Sequence, residues 1–569
     1  MTERSTRLLI CLLLALCALQ AVASMRRQSM VTDEIVTFLP GYAELTTGNF
    51  RLTYEHPPLS KYIAAIPLLF LKPDLPLDHP AWREANSPAL GLHFLYHNRV
   101  DAERIIFWGR MGIVACGCLL GFLVYLWASL LFGKLSGVMA LFLYCFCPNI
   151  LAHAGVATSD MAAACFIFLA VFSLWCFCRR PNWPGLLLVA TCLALAQLSK
   201  FSAFLLFPIY VILYCAAYLS PAAFSALRAF VQADCPPRVL PARILSAVTP
   251  LIVVFCCAAV VIWAAYGFET APLASLIGEL PRRAARLLPP RLLGLPCPAP
   301  SFVRGLLFQL RHAAEGHPAF LMGRYSTTGW WYYFPVAFLI KTPVAILILF
   351  VLSLALFKRA RADWGSECFV VLPPLLFFTA CMLGKINIGL RYILPIYPFL
   401  FVFISRLAMP APERRTLLAP VMCLLLAWHL ASSLSIYPHY LAYFNELIGG
   451  PSQGYRYLVD SNLDWGQDVK GLKNYLREKG IDRIWECGFY PDVLDYYAIK
   501  HAPLPANVEG VSGYVAISAM DLQCVRRDDK HALDWLKERR PAAQVGHSIF
   551  VYAVDTPPTS IGTDHAPTR

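Results

Sequence analysis

Charged residues are scarce in this chain: Asp, Glu, Lys and Arg make up 15% of its 569 residues. A soluble protein of that length would split into a few domains with charged surfaces. Hydrophobic residues stand in their place, at 58% of the chain and a mean hydropathy of +0.56. No CxxC pair has a matching partner at zinc spacing, which argues against a cysteine metal site. Most of the 20 cysteines lie in apolar runs, as Cys11, Cys116, Cys118, Cys145, Cys147, Cys176, Cys178, Cys256 and Cys257 do, and act there as small hydrophobes. Cys487 and Cys524 fall in the polar tail and are candidates to pair if that tail is extracytoplasmic. Long-range repeats and low-complexity tracts are also missing, which sets aside repeat architectures and disordered arrays.

Acidic residues are the scarcer sign, 35 against 48 basic ones, for a net charge of +13. In a soluble protein that excess would suggest nucleic acid. Here the basic residues fall largely in short loops between apolar runs, the positive-inside pattern of membrane proteins, so no nucleic-acid partner is expected.

What is abundant is apolar runs of roughly 18 to 25 residues, long enough to cross a bilayer core of about 30 Å. Spans are expected at about 8–24, 105–131, 135–153, 160–178, 185–199, 201–219, 244–266, 333–357, 367–384, 389–405 and 416–436, eleven in all. Arg4 and Arg7 before an apolar stretch ending Ala21-Val22-Ala23-Ser24 also fit a cleaved signal peptide. We read a retained first helix, and the orientation is the same either way. If Arg4 and Arg7 are cytoplasmic, the cytoplasmic loops contain Lys134; Arg179 and Arg180; Arg228, Arg238 and Arg243; Lys358, Arg359 and Arg361; Arg414 and Arg415. All five loops are basic, a run that a wrong span count would break.

Three segments then face outward: the loop 25–104, the Arg- and Pro-rich loop 267–332, and a tail from 438 to 569. Within the first loop, Leu59 to Leu71 is apolar but too short to span, and reads as an interfacial or re-entrant helix. The tail has ordinary polarity, β-like runs at Gly513–Ser518 and Ser548–Val554, and a helical pattern near Asp468–Lys479. The expected fold is an all-α polytopic membrane domain over 1–437 followed by a small α/β domain over 438–569.

Ionisable residues inside or at the ends of spans are costly, so each is a functional candidate. Parity puts Asp33, Glu34, Glu55, His56, Lys61, Arg110, Asp160, Lys200, Lys341 and Arg391 all on the outer side. Each has a plainer reading as well: Arg110 and Lys200 as snorkelling side chains, Asp160 as a helix cap behind Thr158-Ser159, Glu34 as an orienting neighbour of Asp33. The aromatic run Trp330-Trp331-Tyr332-Tyr333-Phe334 is more often an interfacial belt than a binding platform. A transporter needs polar groups near the midplane and access from both faces. One-sided charge instead suits an enzyme with a lipid-linked substrate, its cations neutralising a phosphate and its carboxylates taking a proton. A transporter or flippase of lipid-linked sugars is the alternative that this distribution disfavours, and a non-catalytic scaffold displaying its tail is a third.

These residues carry a resemblance. Asp33-Glu34 after the first helix, followed by Glu55-His56-Pro57-Pro58-Leu59-Ser60-Lys61, resembles the GT-C glycosyltransferases of family 39. That family includes dolichyl-phosphate-mannose–protein mannosyltransferases and bacterial lipid A aminoarabinose transferases. Thr158-Ser159-Asp160, Leu198-Ser199-Lys200-Phe201, Thr328 to Pro335 with Lys341-Thr342-Pro343, and Gly389-Leu390-Arg391-Tyr392-Ile393-Leu394-Pro395 agree with it. Asp460-Ser461-Asn462-Leu463-Asp464-Trp465-Gly466-Gln467-Asp468 resembles a motif of bacterial members with an extracytoplasmic C-terminal domain. The resemblance implies a polyprenyl-phosphate sugar donor, mannose or a similar hexose, and inverting transfer to a hydroxyl of protein Ser/Thr or of a surface glycan or lipid. It implies Asp33 as the base and Glu34 as its helper. Arg391, with Arg110, Lys61 or Lys200, would hold the donor phosphate, and Glu55, His56, Asp160 and Lys341 would be further substrate contacts. Neither a nucleotide sugar nor a metal is expected. A bacterial plasma membrane is the expected location, or the endoplasmic reticulum in a eukaryote. The chain departs from the family in reading Ile35-Val36-Thr37 after the acidic pair and His56 before Pro57-Pro58-Leu59, and its 267–332 loop is too short for a lumenal β-trefoil.

Overall fold

A computed structural model of the chain describes residues 2–232, 240–280, 289–357, 363–409, 415–506, 508 and 510–555. The loop residues Arg238, Lys358, Arg359, Arg361 and Arg414 lie outside the described residues.

Among those residues, seven helices are long and apolar enough to cross a membrane, or up to nine if each of two bent pairs is one span. The seven are Glu3–Met25, Ala102–Phe132, Ser159–Arg179, Phe201–Leu219, Ser246–Ala265, Trp364–Leu383 and Ala419–Ile436. The pairs are Lys134–Cys145 with Pro148–Ala154, bent by 65°, and Tyr333–Lys341 with Val344–Ala355, bent by 110°. Pro148 begins the second helix of the first pair, and Pro343 precedes the second helix of the other, where a missing N–H breaks the ladder. The spans expected at 185–199 and 389–405 fall on shorter apolar helices, Trp183–Ser199 and Ile396–Ala408. All eleven expected spans therefore meet apolar helix, and length by itself supports seven to nine.

Ion pairs tie together the end where the first helix starts, among them the buried Arg406–Glu367 at 2.9 Å. Lys134 reaches Glu3 at 3.3 Å, and Arg179 reaches Asp363 at 3.3 Å. At the other end the long first loop folds onto the helices. Ile35–Thr47 packs on Pro58–Ala65, which is continued by the single turn Leu68–Leu71. The apolar stretch Leu59–Leu71 is thus two short helices, with Phe70 and Ile66 left exposed. The helix Ala102–Phe132 has 31 residues, roughly 46 Å at 1.5 Å each, so it outruns a hydrocarbon core of about 30 Å and stands beneath this loop. Close contact there needs glycine: a Cβ on Gly112 would strike the Ile63 carbonyl, and one on Gly91 the Ile35 carbonyl.

The tail carries a mixed five-stranded sheet. With β1 to β4 as two short hairpins (Thr270–Pro272 with Pro296–Pro298, Ala319–Leu321 with Arg324–Ser326), its strands are β5 Arg483–Cys487, β6 Lys500–Pro503, β7 Gly513–Ser518, β8 Ala543–Val545 and β9 Ile549–Val554. Their order is β6-β5-β7-β9-β8; β5 runs parallel to β6 and β7, and β9 antiparallel to β7 and β8. The helix Val469–Lys479 buries Val469, Leu472 and Leu476 on one stripe and ends at Gly480, whose φ of +66° is the left-handed C-cap. Expected strands and helix coincide with β7, β9 and this helix. Cys487 and Cys524 carry no disulfide: Cys487 instead accepts from Arg527 Nη2 at 2.9 Å. Between strand domain and helices, residues 440–468 run across the helix ends and pack into them.

Candidate active site

Asp33 and Glu34 occupy a single 3₁₀ turn, Thr32–Glu34, between the first helix and Ile35–Thr47. Three residues per turn point neighbouring side chains about 120° apart, so adjacent acids cannot share one environment. The Asp33 side chain keeps 25% of its surface accessible and lines a cavity of about 1060 Å³ between the helices and the tail. Glu34 turns the other way and is fully buried. Its carboxylate takes Arg110 Nε and Nη2, both at 2.7 Å, and the N–H groups of Val31 at 2.9 Å and Ala157 at 2.8 Å.

Helix ends deliver the rest of the cluster. Arg391, in the turn Leu390–Ile393, donates through Nη1 to Asp33 Oδ2 at 2.5 Å and lies 3.9 Å from Asp160 Oδ2. Asp160 sits in the first turn of Ser159–Arg179, where the helix dipole favours an anion. It accepts from Lys200 Nζ at 2.6 Å and from Thr158 Oγ1 at 3.0 Å. Lys200 closes the helix Trp183–Ser199 in extended conformation, its ammonium 4.7 Å from the Tyr392 ring centre. From the tail, Trp465 donates its indole N–H to Asp33 Oδ1 at 3.3 Å and stacks under Arg391, 4.5 Å from ring centre to guanidinium carbon. The result is a chain of alternating charge, Asp33–Arg391–Asp160–Lys200. Asp33, Lys200 and Arg391 open onto the cavity, and Asp160 stands behind them.

Glu55 and His56 also line the cavity. Burial, and then the Asp33 charge, pushes the Glu55 carboxyl up. Burial, then Lys200, holds His56 down at about 4, so its imidazole is neutral near pH 7. Four other expected site residues lie elsewhere. Arg110 is consumed by Glu34 and by the carbonyls of Ser29 at 2.7 Å and Met25 at 3.3 Å. Lys61 forms a buried ion pair with Glu44, joining the two packed helices of the first loop. Lys341, at the corner of the 110° bend, donates to the carbonyls of Leu441 at 2.9 Å and of Asn462, pinning the tail segment to the helices. None of these, nor Glu34, lines the cavity. Each is an isolated charge by sequence, and burial demands that each find a partner. The aromatic run divides: Trp331 is 65% exposed while Tyr333 and Phe334 are buried.

The sequence reading missed the tail's share of the wall. Asp460, Asp464, Trp465, Tyr490, Asp521 and Arg526 face the same cavity. Burial raises the Asp464 carboxyl to about 7, and its carboxylate accepts the Met520 N–H at 2.9 Å. The motif Asp460–Asp468, acids around a tryptophan in an otherwise ordinary tail, was the available signal. The loop 267–332 adds His312 and His317, their ring nitrogens 3.3 Å apart, and an apolar arm of Leu306, Phe308 and Leu310 opposite Phe204, Leu205 and Pro208.

No family model matches the chain, and no curated protein does. Solved structures resemble it at low identity. ArnT from Cupriavidus metallidurans bound to undecaprenyl phosphate aligns at 10% identity and a TM-score of 0.46, covering 96% of this chain and 97% of its own. The Saccharomyces cerevisiae protein O-mannosyltransferase Pmt1-Pmt2 complex bound to the sugar donor aligns at 11% identity and 0.46, covering 77% and 90%. The archaeal oligosaccharyltransferase AglB from Archaeoglobus fulgidus aligns at 14% identity and 0.42, covering 92% and 70%.

Proposed function

We propose that the protein is a membrane glycosyltransferase that moves a sugar, mannose or a similar hexose, from a polyprenyl-phosphate donor to an acceptor hydroxyl on the extracytoplasmic face. One observation carries the reading. A partly accessible carboxylate, Asp33, stands on a large cavity in direct contact with Arg391, with Lys200 on the same wall. The family 39 resemblance of the motifs bearing these residues supports it.

Arg391 has a planar fork suited to two phosphate oxygens, and Lys200 is a point charge beside it. A donor phosphate entering the cavity competes with Asp33 for Arg391 Nη1. When it wins, the cation grips the leaving group and Asp33 Oδ2 is released. The acceptor oxygen then attacks the anomeric carbon, and the carbon–oxygen bond to phosphate breaks with its electron pair on the polyprenyl phosphate. Asp33 takes the acceptor's proton. Attack opposite the leaving phosphate gives inversion. Charge that grows on the phosphate is met by Arg391 and Lys200 without a metal in the scheme. The acceptor is the hydroxyl of a protein Ser/Thr or of a surface glycan or lipid. Mass spectrometry of surface glycans and glycoproteins in cells with and without this protein tests the reading: one hexose-bearing species should vanish on deletion. An unchanged profile would contradict it.

A further inference from the structure

Asp33 lies far in sequence from the tail, yet the tail holds it. We propose that Trp465 is a positioning residue for the base, so that the C-terminal segment completes the active site; this rests on the glycosyltransferase reading above. Two hydrogen bonds to the Asp33 carboxylate are seen, one to each oxygen: Arg391 on Oδ2 and the Trp465 indole on Oδ1. Once a phosphate takes Arg391, the indole N–H is the contact that keeps the carboxylate aimed. Placed on Oδ1, it leaves Oδ2 free to receive the proton. The same ring carries Arg391 on its face at 4.5 Å, so one side chain registers both the base and the phosphate-binding cation.

Trp465 is itself held rigidly. It is 5% exposed, with the His153 ring set edge-on at 6.2 Å. Its loop is laced to the segment that leads into Asp33. Thr32 N–H donates to the Trp465 carbonyl at 2.9 Å, Ser29 N–H to the Gln467 carbonyl at 2.9 Å, and Ser29 Oγ to the Gly466 carbonyl at 2.8 Å. Gly466 makes the turn with φ of +91°, a conformation that other residues adopt only with strain. Gln467 Oε1 accepts the Trp465 N–H at 2.9 Å, and Gln467 Nε2 donates to Leu463. A side chain that only filled space would not need its N–H aimed at one carboxylate oxygen, nor the backbone beside it hydrogen-bonded to the segment that carries that carboxylate.

The test uses the full-length protein in detergent, labelled with 5-fluorotryptophan at its 13 tryptophans. Trp465→Phe assigns one fluorine resonance by its loss. Asp33→Asn should move that resonance; its staying in place would overturn the contact. Trp465→Phe keeps an aromatic ring under Arg391 and removes the indole N–H together with the five-membered ring, so thermal stability separates lost packing from the lost hydrogen bond. Expressed in cells lacking the protein, it should restore at least about ten-fold less of the missing glycan than the unsubstituted chain. Its binding of undecaprenyl phosphate by native mass spectrometry should stay within about two-fold, because the phosphate-binding cation keeps its ring. Full glycan output in Trp465→Phe would overturn the proposal. So would a fall in lipid binding or thermal stability that accounts for the lost output. If the unsubstituted chain restores no glycan, the glycosyltransferase reading fails, while the fluorine shift still decides the Trp465–Asp33 contact.

Discussion

Asp33 and Glu34 are one peptide bond apart and meet opposite fates. Asp33 is partly accessible and shared between a cation and an indole. Glu34 has no exposed surface and accepts four hydrogen bonds, two of them from Arg110. Removing one partner of such a buried pair leaves an uncompensated charge and costs about 3–5 kcal/mol. Glu34→Gln should therefore lower the unfolding midpoint in detergent sharply, and any lost activity should track the folded fraction. A fully stable but inactive Glu34→Gln would restore Glu34 to the chemistry. Sequence alone put Asp33 ahead of Glu34 as the candidate base, yet it could not show that Glu34 and Arg110 cancel each other across the fold. Lys61 and Glu44 repeat the lesson over a shorter separation. Charge at a span end marks a constraint, and only geometry says whether the partner is protein or ligand.

At the scale of elements, the site is made of ends: the turn after the first helix, the start of Ser159–Arg179, the end of Trp183–Ser199 and the turn before Ile396–Ile404. Helix ends leave backbone groups unpaired and carry partial charge, which makes them natural places for ionic groups to meet. Asn462 ties these ends to the tail. Its Oδ1 accepts the Leu390 N–H at 2.9 Å, beside Arg391, and its Nδ2 donates to Tyr333 Oη at 2.9 Å and the Val459 carbonyl at 3.0 Å. Asn462→Ala strands buried polar groups at about 1–3 kcal/mol each, so it should destabilise by several kcal/mol and weaken undecaprenyl phosphate binding through Arg391. A variant with unchanged unfolding midpoint and lipid affinity would refute that role. Elements were the most legible level, because period and length act locally: apolar helices, β7, β9 and the helix Val469–Lys479 appear where the pattern puts them, though only seven to nine of the described helices are long enough to span. The packing of residues 440–468 among the helices depends on contacts far apart in sequence and left no periodic trace.

Across the whole molecule, the charged cluster and the tail share one end, and Glu3, Lys134, Arg179 and Asp363 share the other. From the positive-inside pattern we propose that the second end is the cytoplasmic one. A membrane-impermeant thiol reagent on intact cells should then label Ser512→Cys in the tail and spare Ser225→Cys between two apolar helices, both positions being exposed. The reverse labelling would invert the topology and put the site on the face opposite the one proposed for the lipid-linked donor. Span parity put the charged candidates at one end, and the cluster Asp33–Arg391–Asp160–Lys200 does gather there. The cavity's composite wall was not legible, since about a third of it belongs to a segment that sequence patterning assigns to a separate domain.

The central claim is that Asp33 takes the acceptor's proton. It is tested most directly by Asp33→Asn, an isosteric change that removes the base and leaves the cavity's shape. The product to follow is the hexose-bearing species lost on deletion, formed by the purified protein on membranes and cell-surface material of the deletion strain, which supply both donor and acceptor. The account predicts a fall of about 10²–10⁴-fold, with undecaprenyl phosphate bound at least as tightly because Arg391 is no longer shared. Turnover by Asp33→Asn at the unsubstituted rate would contradict it.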